Sequence, residues 1–307
     1  MTLEPFIQNL ADPSFRVPSG DFVELSDLSP AELGVFARTW FTIPAERQLW
    51  IVSTLVELAE DSAELDFHAI FKMCLKDGDE PVVEKAMEGL WEQEDRSVIP
   101  FLTEILLSDR SPAVRAAAAV ALGKFPLLVQ EGKLLPKDGD SIHDSLMAVL
   151  VDSEQPHEVR RRSLESIAPF NTSDIKTYVD WAYNSGDLKL KSSSIFAMGR
   201  TGETSWLPLL LKEIQSPDPD IRYESAHACG ALGEEDAVPH LIGLLEDDDY
   251  LVQLAGINAL GQIGGPLAKK ILLHCVQEGD ASLEEAARAE LENIEFSDDP
   301  MAFNSSV

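Results

Sequence analysis

The sequence predicts an all-α superhelix, a solenoid of about eight two-helix repeats. Three observations predict it. An apolar anchor returns every 31 residues, polar and small residues return in register with it, and the segments between carry a helical period.

The anchors are Val83, Val114, Val159, Leu190, Ile221, Val252 and Leu283. Every step is 31 residues except the one from Val114 to Val159, which is 45, one period plus an insertion of 14. Three places before the anchor stand Glu80, Ser111, Pro156, Asp187, Asp218, Asp249 and Asp280. Most have a side-chain oxygen able to accept from the free amides of a first helical turn. Pro81, Pro112 and Pro219 follow, at a position where a missing N–H costs nothing. Directly after the anchor come Glu84, Arg115, Arg160, Lys191, Arg222, Gln253 and Glu284. Each basic residue of this column is expected to meet a cap acid of a neighbouring unit. Ala118, Ser163, Ser194, Ser225, Gly256 and Ala287 stand four after the anchor and let another helix come close. Gly123, Gly199, Gly230 and Gly261 stand nine after it and are expected to end or loosen the helix.

The other half of each unit is helical by its spacing of apolar residues, as in VIPFLTEILL, DIKTYVDWAY, SWLPLLLKEI, AVPHLIGLLE and AKKILLHCV. Pro100, Pro208 and Pro239 fall near the first turns of these segments, where proline is tolerated. No alternating run bounded by hairpin turns occurs, so no strand is expected.

Four segments follow. Residues 1–26, with Pro5, Pro13 and Pro18, read as irregular; 27–79 read as a divergent capping unit, with a helix pair over LSPAELGVFARTW and ERQLWIVSTLVELAED. Residues 80–296 hold the repeats, with an inserted surface loop near 127–140, and 297–307 read as a disordered tail.

The columns of acid, proline, apolar, basic and small residues resemble the HEAT-repeat superfamily. They are most similar to the HEAT-like repeat of phycobilisome lyase subunits. The resemblance is carried by SPAVRAAAAVALG, LKLKSSSIFAMGRTG, PDIRYESAHACGALG and YLVQLAGINALG. It implies the fold and leaves function open, because the superfamily holds adaptors, lyase subunits and a few enzymes. One enzyme class within it, the deoxyhypusine hydroxylases, holds two irons through His–Glu pairs at the start of several repeat helices. The matching positions here are Ala116–Ala117, Arg161–Arg162, Ser192–Ser193, Tyr223–Glu224 and Leu254–Ala255, and the histidine is missing from each.

Composition narrows the partners. With 54 acids against 24 Lys plus Arg, the chain carries a formal net charge of −30. Such a surface repels nucleic acid and anionic lipid and attracts basic partners. No stretch of 18 apolar residues free of charge occurs, so no membrane span is expected. The N-terminus lacks a basic region before an apolar run, and three scattered cysteines suit no disulfide framework, so the cytoplasm is the expected compartment. Histidines His68, His143, His157, His227, His240 and His274 form no metal-binding spacing, and no phosphate loop or nucleophile motif is present. No enzyme activity, cofactor or metal is expected. A basic strip drawn from Arg160, Arg161, Arg162, Lys189, Lys191, Arg200 and Arg222 is the one local exception to the acidic surface.

Second helices of such repeats line the inner, concave side. At 100° per residue, the columns two and six after the anchor face away from the apolar stripe. They read Ala116, Arg161, Ser192, Tyr223, Leu254 and Val120, Glu165, Phe196, His227, Asn258. A merely solvated face would be Lys and Glu. The expected partner-binding residues are therefore Arg161, Arg162, Phe196, Tyr223, His227 and Leu254, in a scaffold that holds a protein or peptide. The alternative, implied by the resemblance, is an accessory subunit of a bilin-attaching lyase.

Overall fold

The computed structural model describes residues 3–12, 14–91, 93–278 and 281–298. Among them every regular element is helical, and the fold class is all-α. By contacts the chain forms two compact units, residues 1–163 and 164–307.

In the first unit, α1 (Leu3–Leu10) precedes the pairs α2 (Pro30–Trp40) with α3 (Ala45–Asp61), α4 (His68–Cys74) with α5 (Glu80–Gly89), and α6 (Ile99–Leu107) with α7 (Pro112–Leu122). The short α8 (Phe125–Gln130) follows. Next comes α9 (Pro136–Val151) and then α10 (His157–Ile167), inside which the unit boundary falls. The second unit holds α11 (Ser173–Tyr183) with α12 (Leu188–Arg200) and α13 (Leu207–Glu213) with α14 (Pro219–Leu232). It closes with α15 (Val238–Leu241) and α16 (Tyr250–Ile263), then α17 (Gly265–Glu278) and α18 (Ala281–Asp298). Eight helix pairs therefore stand among the described residues. Second helices pack on second helices: α3 on α5 and α5 on α7 in one unit, α12 on α14, α14 on α16 and α16 on α18 in the other.

The repeat columns have the physical roles their chemistry suggests, with four changes. Ser111, Asp187, Asp218 and Asp249 each accept the anchor's backbone N–H, at 3.4, 2.9, 3.3 and 3.4 Å. In α5 the cap is Asp79, which accepts from Val82 at 3.4 Å. The anchor there is thus Val82, one place earlier than the 31-residue step implies. Glu80 instead accepts the N–H of Ser111 at 2.9 Å, tying one second helix to the next. Asp280 lies outside the described residues.

The glycine column is the second change. Gly199 and Gly230 sit inside helices, not at their ends. A Cβ on Gly199 would lie 2.7 Å from the Ala228 backbone, and one on Gly230 2.9 Å from that of Ala259. These glycines let successive second helices touch backbone to backbone. Only Gly123 caps its helix, and α14 ends instead at Gly233, in the left-handed region with φ 71°. The column four after the anchor is buried throughout, as expected of close-packed positions.

The third change concerns the basic column, where Arg115, Lys191 and Arg222 bond groups other than the N-cap acids. Arg222 reaches Asp247, Arg115 reaches the Leu106 carbonyl and Gln155, Arg160 the Leu150 carbonyl, and Lys191 Glu213. The side chains are long enough to reach the ends of first helices, where unsatisfied carbonyls and acids collect.

The segment boundaries are the fourth. Two ordered pieces stand within residues 1–26: α1 buries Phe6, Ile7 and Leu10, and a 3-10 turn over Ser19–Leu25 buries Phe22 and Leu25. The inserted loop shrinks to residues 131–135, because α8 runs to Gln130 and Pro136 opens α9 at its first turn. The boundary at 79/80 would split the pair α4–α5. The helix α18 runs to Asp298, and residues 299–307 lie outside the described residues. The pair expected over 27–61 is present as α2 and α3, with Ser29 and Glu32 forming a reciprocal cap. Residues 112–130 are long and apolar enough on composition to span a bilayer. They fold instead as α7 and α8, with Val114, Leu122 and Phe125 in the core of the first unit.

Candidate protein-binding groove

On α12, α14 and α16 the anchors Leu190, Ile221 and Val252 point into the core. Residues two and six places later must then lie across the helix from it. Phe196 of α12 is 38% exposed, and Tyr223 and His227 of α14 are half-buried. The three line one pocket of about 350 Å³ together with Arg200, Glu224 and Gln262.

Tyr223 and His227 are one turn apart and meet edge to face, with ring centroids 4.5 Å apart. Burial pulls the His227 imidazole below its ordinary pKa, so the ring presents a neutral aromatic wall near neutral pH. Burial also lowers Arg200, which keeps its charge. The pocket thus joins apolar ring surface to one cationic, one acidic and one amide side chain.

The six expected residues do not all come together. Phe196, Tyr223 and His227 share the pocket. Leu254 lies half-buried on α16 and is not part of the lining. Arg161 and Arg162 belong to the first unit, where both bond the Glu158 carboxylate, at 2.7 and 3.0 Å. The proposed basic strip is drawn into such pairs: Lys191 holds Glu213 at 2.7 Å and Arg222 holds Asp247 at 2.7 Å. Sequence reasoning did not place Gln262 in the pocket. It stands ten residues after its anchor Val252, which at 100° per residue puts it on the same outward side as columns two and six.

Among the described residues no three metal-ligating side chains come together. The thiols offer little nucleophile: burial pushes Cys229 up to about 12 and raises Cys74 and Cys275 as well.

A sequence model of HEAT repeats matches residues 68–168, 175–255 and 207–292, well over half of the chain. The chain belongs to the HEAT-repeat family. No curated protein matches this HEAT-repeat chain. Among solved structures it is similar to the CpcE–CpcF complex of phycocyanin lyase from Nostoc sp. PCC7120. The TM-score is 0.44 and the identity 19%, covering 66% of this chain and 79% of that one. Human deoxyhypusine hydroxylase gives 0.38 at 17% identity, covering 95% and 96%. Importin beta gives 0.49 at 13%, covering 95% of this chain and 44% of that one. No function is carried over from these three to this HEAT-repeat protein.

Proposed function

We propose that the protein is an interaction scaffold whose α12–α14–α16 face holds a protein or peptide partner. The observation that carries this is the placement of Phe196, Tyr223 and His227 around one pocket on consecutive second helices. Half-exposed aromatic rings beside an arginine are the residues that anchor interfaces. The net charge of −30 favours a basic partner through long-range attraction. No catalytic step is proposed. A bilin-attaching role through a thiolate would need a ready thiol in the groove, and the Cys229 thiol is buried within α14; the acid that lines the pocket is Glu224. Three cysteines, none in a disulfide, suit a reducing compartment, and we place the protein in the cytoplasm.

The test pairs the wild type with a Phe196→Ala/Tyr223→Ala variant. Both are used to capture partners from lysate, and each captured protein is then purified and titrated calorimetrically. A partner that binds the wild type and loses the variant, with helicity by circular dichroism unchanged, supports the proposal. Equal binding by both sinks it.

A further inference from the structure

The first unit carries a second trough, which shares no residue with the pocket of Phe196, Tyr223 and His227. Successive second helices α3, α5 and α7 line an open groove of about 610 Å³. Its floor is small and apolar, with Ala117 and Val120 of α7. Its wall is Glu84, Glu88 and Trp91, which stand at i, i+4 and i+7 of α5 and its end and so share one face.

Trp91 is 59% exposed, although indole is the side chain with most to gain from cover. Its backbone is also anchored. The Lys124 ammonium donates to the carbonyls of Leu90, Trp91 and Gln93, pinning the end of α5 to the end of α7. Covering the ring therefore requires no further ordering of the backbone, only of the side chain's own rotamers. The charges around it are unbalanced. Lys85 is already paired with Glu88 at 2.7 Å, while the Glu84 carboxylate makes no hydrogen bond or ion pair among the described residues.

We propose that this trough binds a basic protein segment in which Lys or Arg alternates with apolar residues. A cation lies between the Glu84 carboxylate and the indole face of Trp91, where both attract it. The aliphatic stem of that cation and its apolar neighbours cover the alanine floor. An acidic segment would meet Glu84 and Glu88 and be repelled.

The experiment titrates full-length protein into a fluorescein-labelled peptide of mixed arginine and leucine, read by anisotropy. A peptide with glutamate in place of arginine is the control. The arginine peptide binds, more weakly as salt rises, and the glutamate peptide does not. Trp91→Ala and the pair Glu84→Gln/Glu88→Gln each weaken binding about tenfold, while Phe196→Ala/Tyr223→Ala leaves it unchanged. As a check independent of the alanine variant's folding, the indole N–H resonance absent in Trp91→Phe shifts when peptide is added to wild type. No binding, equal binding of the glutamate peptide, wild-type affinity in both α5 variants, or a silent Trp91 resonance would each overturn the proposal. Loss of binding in Phe196→Ala/Tyr223→Ala alone would also overturn it, by assigning the peptide to the other groove.

Discussion

The Arg222 guanidinium grips the Asp247 carboxylate with two hydrogen bonds, each 2.7 Å, from Nε and Nη2. Its Nη1 donates to the Ser216 carbonyl at 2.8 Å. One side chain thus fastens α14 both to the connection before it and to the connection before α16. The pair is mostly buried, at 16% and 9% side-chain exposure. Removing one partner would leave the other desolvated and unpaired. We expect Arg222→Ala to cost about 3 kcal/mol in urea unfolding. Arg222→Lys should recover part of it, since an ammonium cannot make the two-pronged contact.

Hydrogen bonding from Arg222, more than any other influence, holds the Asp247 carboxyl below its ordinary value of 3.8. A folded-state pKa below the unfolded one means the unfolded chain binds the proton first. The stabilisation is therefore complete above about pH 4 and is lost as pH falls through the folded value. Comparing unfolding midpoints of wild type and Asp247→Asn down through this range should show the shallower fall in the variant.

His227 gives the same sign in a higher window. Burial lowers its pKa below the ordinary 6.5, so protonation favours the unfolded chain as pH drops beneath that value. Thermal melting of His227→Phe should lack the part of the slope that wild type shows between about pH 6.5 and 5. An identical slope in both proteins would show that the imidazole is not the group titrating.

Gly199→Ala separates two opposed effects. Alanine is the better helix former by about 1 kcal/mol. Yet its Cβ would sit 2.7 Å from backbone of α14, where no side chain can rotate away. We expect overpacking to dominate, with a net loss of about 1–2 kcal/mol by chemical denaturation. A stabilised variant would mean that α12 and α14 are farther apart than the structure places them.

The cysteines should differ in reach. Cys74 and Cys229 are buried with raised pKa, and Cys275 is half-buried. At about pH 8, iodoacetamide should modify Cys275 first, and the other two only on unfolding, as mass spectrometry of timed samples would record.

The sequence by itself determined the repeat. Caps, prolines, anchors and the small column are local requirements of a helix and of its packing on the nearest helix, and both recur with the chain. It also put Phe196, Tyr223 and His227 on the face away from the core, because a helix fixes angles between its own residues. Only the tertiary structure decided what depends on the next unit. It moved the α5 anchor from Val83 to Val82, and with that the outward columns from Lys85 and Gly89 to Glu84 and Glu88. The acidic wall was hidden by that single-residue shift, since one step along a helix turns the face by about 100°. The partners of Arg115, Arg222 and Lys191, the close approach at Gly199, and the α1 helix were likewise decided by packing. A long side chain can reach several carbonyls, a glycine can end a helix or admit a neighbour, and a short apolar segment becomes a helix only against a core that buries it.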